Sequence, residues 1–314
     1  MKYGLLIQGP LLSVGRTGAT GHRTLADDAV VRFDCRQTIL NNISEYGDLF
    51  SEIVLCTWDD GIYPDFEITN GKFCRIPDKA KKIIDARVKR NWINNDIVNN
   101  MCKQYYGTYN GLLQFNNVDY VVKIRTDQSL DLELLVKSIV DYNRLYIPYI
   151  IRGYNVLPDF YFAARLDTMI DLFKILSENE PIVKSPHQDI ILRYALARYF
   201  KEIDVDIGWY NKFQTLQQNK IFAYMFNNVF YPLPRKVYES IIWRGEPFCE
   251  EYRQNLDELC FSNPDIYTQK YSLVGNGIEN AFFRTRDNFL ADNIQKTLFF
   301  MVRLIAYIFN HAFK

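Results

Sequence analysis

Histidine is scarce in this chain, with three in 314 residues, and no cysteine pair stands in a CxxC arrangement. No histidine lies near a cysteine at finger-like spacing either, which excludes a structural zinc site of that kind. Charge of one sign is not in excess: 37 Lys plus Arg face 37 Asp plus Glu. A general nucleic-acid binder carries a basic surplus, so no nucleic-acid partner is expected. The sequence lacks an uninterrupted apolar run of bilayer-spanning length. Met1 to Pro10 is too short for a secretory apolar region with its cleavage site and reads as the start of a domain. The glycines at 15, 18 and 21 do not make a P-loop, because His22-Arg23 follows Gly21 where Lys-Ser/Thr would be needed. The GxGxxG fingerprint is also missing after the first strand, which counts against an NAD-dependent oxidoreductase.

What is present is a globular composition, 48% hydrophobic, in a chain long enough for a sizeable core. There are 22 Tyr and 22 Phe. Such rings fill cores, and they also stack on sugars and bases. The six cysteines (Cys35, Cys56, Cys74, Cys102, Cys249 and Cys260) read as reduced and structural, as in a cytoplasmic protein.

Periodicity gives the order of elements. Tyr3 to Ile7 is a short apolar strand ending in Gln8-Gly9-Pro10. A Gly-rich loop over 15–21 follows, carrying Arg16, with Arg23 just after it. Helical spacing covers Asp34 to Tyr46. Glu52 to Thr57 reads as a buried strand closing on Trp58-Asp59-Asp60-Gly61, and Phe73 to Ile76 as a third. Asn91 to Phe115 carries Ile93, Ile97, Met101 and Tyr105 at near-four spacing and predicts a helix. Asp119 to Ile124 is a strand running into Arg125-Thr126-Asp127. Leu130 to Tyr142, Leu166 to Ser177 and Pro186 to Phe200 read as helices, and Tyr149 to Arg152 and Phe160 to Ala164 as strands. Alternating strands and helices predict an α/β domain with a mostly parallel, Rossmann-like sheet over about residues 1–200. Beyond Lys201, Pro232, Pro234, Pro247 and Pro264 break the pattern, so 201–288 is expected to be an irregular cap.

The strongest local signal is Lys123-Ile124-Arg125-Thr126-Asp127. A buried strand delivers three charges at its carboxyl end, where open α/β sheets bind ligands. At period two, Lys123, Arg125 and Asp127 are expected on one face. Cations suit phosphate oxygens, and Asp127 suits a divalent metal. Asp59, after the second strand, is a candidate for the ribose or base of a nucleotide, and also an ordinary turn former. Two carboxylates compete for the role of general base. One is Asp189, within His187-Gln188-Asp189 at a helix start, where the helix dipole alone would favour it. The other is Asp159, within Pro158-Asp159-Phe160.

Taken in order, several stretches form a pattern: Gln8-Gly9-Pro10, Ile53 to Trp58, Asn99-Asn100 with Gln104 and Gly111-Leu112, Val122 to Asp127, Pro158 to Ala163, and His187-Gln188-Asp189. This order resembles the WavE family of lipopolysaccharide-synthesis proteins over roughly residues 3–200. The resemblance implies a GT-A-type glycosyltransferase with a nucleotide-sugar donor and a lipopolysaccharide or surface-polysaccharide acceptor. It implies a donor-binding set of Gln8, Gly9, Pro10, Asp59, Lys123, Arg125 and Asp127. It puts Arg125-Thr126-Asp127 where such enzymes carry Asp-x-Asp, with Asp127 as ligand of a Mn2+ or Mg2+ and Arg125 replacing the first Asp. Asp189 then inherits the role of base, with Asp159 or His187 positioning the acceptor. The expected organisation is a catalytic domain over 1–200, a cap over 201–288 and a terminal helix over 289–314. In that helix Asp292, Lys296, Arg303, Asn310 and Lys314 form one polar stripe on an otherwise apolar surface. It is expected to lie on an anionic membrane surface at the cytoplasmic face, near a lipid-linked glycan. A non-catalytic nucleotide-sugar-binding protein and a phosphotransferase are the alternatives.

Overall fold

The structure is a computed structural model that describes residues 1–15, 17, 30–89, 96–151, 158–179, 181, 186–199, 216–247 and 259–260. The first half comprises β1 (Tyr3–Gln8), β2 (Leu12–Gly15), β3 (Val31–Asp34), α1 (Arg36–Tyr46), β4 (Glu52–Asp59), β5 (Lys72–Pro77), α2 (Asp78–Lys89), α3 (Asp96–Leu112) and β6 (Tyr120–Arg125). Then come β7 (Gln128–Ser129), α4 (Leu132–Lys137), β8 (Leu145–Ile147), β9 (Ile150–Ile151), β10 (Phe162–Arg165), α5 (Leu166–Glu178) and α6 (Pro186–Arg198). The last described elements are α7 (Leu216–Asn228), β11 (Phe230–Pro232), α8 (Arg235–Glu239), β12 (Ile242–Trp243), β13 (Glu246–Pro247) and β14 (Leu259–Cys260).

Seven strands form the central sheet in the order β11-β8-β10-β6-β1-β4-β5. The pairs β1·β4, β1·β6, β4·β5 and β8·β11 are parallel, and only β10 runs antiparallel to its neighbours. The molecule is therefore α/β with a mostly parallel sheet flanked by helices. Strands β1, β4 and β6 are near-continuous apolar runs because both faces are covered. Alternate residues feed two cores. Leu6, Val54 and Val121 pack with α3, α5, α6 and α7 on one face. Leu5, Leu55 and Val122 pack with α1, α4 and α8 on the other. Helix α3 lies close on β1 and β4 at Gly111. A Cβ there would fall 2.6 Å from Leu6 Cδ1 and 3.0 Å from Cys56 Cβ, so a side chain at 111 would push the helix off the sheet.

Several elements differ from the sequence reading. The helix expected over Leu130–Tyr142 is only Leu132–Lys137, started by Asp131, whose side chain accepts the Leu134 N–H at 2.7 Å. The buried Tyr146 hydroxyl accepts the backbone N–H groups of Val140 and Asp141 at 2.9 and 2.7 Å, which hold the chain in a turn where helix would continue. In the expected strand Tyr149–Arg152, Ile150–Ile151 pairs with β14 outside the central sheet. The neighbouring three residues Leu145–Ile147 occupy that sheet instead.

The sheet also extends beyond residue 200, since its edge strand is β11. The prolines there punctuate elements: Pro232 ends β11 and Pro234 stands at the N-cap of α8. The expected Gly-rich loop starts on a hairpin, β2 pairing β3 from Leu12↔Asp34 to Gly15↔Val31. Arg16 and Arg23 lie outside the described residues, as do 261–314 with the expected terminal helix. Among the described residues no helix is long and apolar enough to cross a membrane. Cys35, Cys56, Cys74 and Cys102 are free thiols.

Candidate functional site

The order β5-β4-β1-β6 is 3-2-1-4, a three-strand mononucleotide-binding half followed by the next strand across the switch point. Strand β1 leads to β4 on one side, while β5 leads back past β1 to β6 on the other. The switch point lies between β1 and β6, where Gln8 and Arg125 are direct register partners. Ligands of open α/β sheets bind outside the carboxyl ends of the strands at such a point.

The structure brings most of the expected donor-binding set to this edge. Gln8 is buried and its carbonyl accepts the Thr126 N–H at 3.2 Å. Gly9 N–H donates to Cys56 O at 3.1 Å, and the Thr126 hydroxyl donates to Pro10 O at 2.8 Å. The two Thr126 bonds fasten the turn after β1 to the turn after β6, and the Gly9 bond ties it to β4. Asp59 ends β4, the neighbouring strand, and is exposed.

Strand β6 itself stops at Arg125, so the alternation expected through Asp127 ends in a turn. The charges meet nonetheless, because the guanidinium bends over that turn. Arg125 Nε donates to Asp127 Oδ1 at 3.0 Å and Nη2 to Oδ2 at 3.1 Å, a bidentate fork of the strong kind. Arg125 Nη1 also reaches Asp159 Oδ2 at 3.4 Å. Lys123 is fully buried, its Nζ donating to the backbone carbonyl of Asp159 at 3.4 Å. Burial pushes its pKa down to about 8, with Asp159 pulling the other way. Asp127 is buried too, and burial alone would raise its pKa. Arg125, and then Arg244 and the Ser13 hydroxyl, hold it far below the usual carboxylate range instead.

Three further side chains complete the cluster. Ser13 Oγ, from β2, donates to Asp127 Oδ2 at 2.8 Å. The Trp243 indole N–H donates to the same oxygen at 3.2 Å, and Arg244 Nη2 lies 3.1 Å from it. Trp243 and Arg244 sit on the β12–β13 hairpin, which pairs with β7 directly after Asp127. The Arg244 guanidinium is seated on Ser13 Oγ through Nε at 3.1 Å and Nη2 at 3.0 Å, and lies 4.6 Å from the Trp243 ring. Sequence reasoning reached none of these three. Arg244-Gly245 is not one of the Asn-Gly or Asp-Gly pairs that announce a two-residue hairpin.

No family model and no curated protein matches the chain. The site has to be read from its own chemistry.

That chemistry does not fit a divalent cation at Asp127. Four contacts converge on Oδ2, from Arg125 Nη2, Ser13, Trp243 and Arg244, and Arg125 Nε takes Oδ1, so both oxygens are already engaged. Two of those neighbours are guanidiniums, which would repel an added dication. Among the described residues no group of three or more His, Cys, Asp or Glu could hold a metal.

Asp189 is committed to a buried ion pair, as a correction to its expected role. It is fully buried in α6, ion-paired with Arg193 four residues on, whose Nε donates at 2.7 Å and whose Nη2 lies at 2.5 Å. Arg193 Nη1 donates to the carbonyls of Leu176 and Asn179 at 2.9 and 2.5 Å, capping the end of α5. A carboxylate locked in this way ties two helices together and cannot reach an acceptor. Asp189→Asn is therefore expected to cost about 3–5 kcal/mol, the usual result of breaking a buried pair from one side. Urea denaturation measures this as a lowered midpoint. A variant with wild-type midpoint and collapsed turnover would return Asp189 to the role of base. His187 lies in the first turn of α6, and its side chain is outside the described residues.

Within the charged cluster, Asp159 is the carboxylate that reaches solvent, its side chain 22% exposed against 2% for Asp127.

Proposed function

We propose that the chain is a glycosyltransferase of the GT-A kind, similar to the WavE family. It would move a sugar from a nucleotide-sugar donor to a lipopolysaccharide or surface-polysaccharide acceptor. The observation that carries this reading is the cationic cluster of Lys123 and Arg125 at the carboxyl edge of the sheet, beside the β1–β6 switch point. Asp127 and Asp159 offset these cations from within, and with Arg244 the edge keeps a positive excess suited to an anion. A leaving nucleoside diphosphate is such an anion, and its charge grows as the sugar departs.

In this reading the partly exposed Arg125 binds the diphosphate with the buried charge of Lys123 behind it, the turn Gln8-Gly9-Pro10 lies beneath it, and Asp59 receives the ribose or base. Asp159 accepts the proton of an acceptor hydroxyl. That oxygen bonds to the anomeric carbon, the bond from that carbon to the phosphate oxygen breaks, and its electron pair leaves with the diphosphate. The amphipathic pattern over 289–314 supports a peripheral position on the cytoplasmic face of a membrane, next to a lipid-linked acceptor.

The test offers a panel of nucleotide sugars with lipid-linked glycans in anionic vesicles. Release of free nucleoside diphosphate together with a lengthened glycan is the expected result. Binding without turnover would make the chain a nucleotide-sugar-binding protein, and a phosphorylated product would make it a phosphotransferase. A chain ending near Asp287 that still floats with the vesicles would remove the membrane role of the terminal segment.

A further inference from the structure

We infer that Arg244 stands in for a divalent cation, so that protein charges alone complete the diphosphate site. The inference rests on the nucleotide-sugar reading above and concerns how that site neutralises its ligand. Without Arg244, the Asp127 carboxylate would cancel the charge of Arg125, to which it is bound at both oxygens. With Arg244 also on Oδ2 at 3.1 Å, one carboxylate is shared by two guanidiniums. Arg125, whose side chain is 23% exposed, then faces the ligand with charge to spare. Counting Lys123, Arg125 and Arg244 against Asp127 and Asp159 leaves one net positive charge at the edge. An added dication would treble that charge among poorly solvated groups, whereas a diphosphate offsets it.

The backbone is arranged to bring this guanidinium in. Arg244 has φ 50°, a left-handed conformation that a side chain other than glycine seldom adopts. With Gly245 at φ 82° it forms the two-residue turn of the β12–β13 hairpin, which requires positive φ at both positions. Here the Arg244 N–H donates to Asp127 O at 2.8 Å, the guanidinium is seated on Ser13, and the Thr17 hydroxyl donates to Glu246. At Gly15 a Cβ would lie 2.7 Å from Arg244 Nη1, so the end of β2 is bare where the guanidinium passes. Arg244 acts through Asp127 and Arg125, as a positioning residue.

Calorimetric titration of the full chain with UDP, GDP and inorganic pyrophosphate, in excess EDTA and then in Mn2+, tests this. Wild-type protein should bind at least one of these equally well under both conditions. Arg244→Gln should weaken that binding roughly 10- to 100-fold, the span for losing one charged partner. Arg244→Lys, which keeps the charge but not the fork, should lose less. Ser13→Ala removes the hydroxyl under the guanidinium and should weaken binding in the same direction, which keeps the test open if Arg244→Gln does not fold. Binding that vanishes in EDTA and returns with Mn2+ overturns the inference while leaving the nucleotide-sugar reading in place. Unchanged affinity in both Arg244→Gln and Ser13→Ala overturns it as well. Failure of wild-type protein to bind any probe in either condition removes the nucleotide-sugar reading, and the inference with it.

Discussion

Asp159→Asn should lower turnover by roughly 10²–10⁴-fold, the contribution of a well-placed general base, while binding of a nucleoside diphosphate is kept or tightened, since one negative charge leaves the edge. The substitution keeps the shape of the side chain and removes its basicity. The backbone carbonyl that Lys123 uses is untouched, and the lost contact to Arg125 is the longest of that guanidinium's three, at 3.4 Å. Donor binding and proton transfer should therefore separate cleanly in this variant. Steady-state rates beside calorimetric affinities give the comparison. If affinity falls as far as turnover, Asp159 holds the donor rather than the acceptor's proton. If neither moves, the base lies elsewhere.

Asp127→Asn should cost about 3–5 kcal/mol of stability, because it leaves buried cations without their counter-charge. Arg125 and Arg244 would then lie near Lys123 with Asp159 as the remaining carboxylate of the cluster. Urea titration at neutral pH should report this as a lower midpoint with unchanged slope. The effect depends on pH with a definite sign. The native pKa of Asp127 is depressed, so its contribution is fully present above the unfolded value of about 3.9 and is lost as pH falls toward the native one. The gap between wild type and variant should accordingly narrow in acid. A loss of under about 1 kcal/mol, the range of exposed pairs, would mean that the guanidiniums swing out to water and that the cluster is not held by Asp127.

Much of the fold was legible because parallel strands covered on both faces are written as plain apolar runs, as in Ile53 to Trp58. Strands β8 and β11 were not, since three residues such as Leu145–Ile147 are too few to display a period. At the site, Lys123, Arg125 and Asp127 could be picked out because charge interrupts a buried run. Their partners could not. Ser13 is 114 positions from Asp127 and Trp243 is 116 positions beyond it, and nothing local marks a serine or tryptophan for that meeting. Asp189 illustrates the opposite error. Its place at a helix start drew attention, yet Arg193 one turn later already spelled an Asp–Arg pair at i, i+4.

The path of the chain through the sheet also bears on how the protein is made. Chains emerge from the ribosome amino end first, and domains fold as units once enough of them is free. The parallel pairs β1·β4 and β1·β6 can form early, but β8 meets its edge partner only when Phe230–Pro232 has emerged. Asp127 must wait longer still, until Trp243 and Arg244 arrive. For over a hundred residues of synthesis the nascent sheet carries an evenly balanced cluster at its working edge, and the late-arriving hairpin is what tips its charge positive.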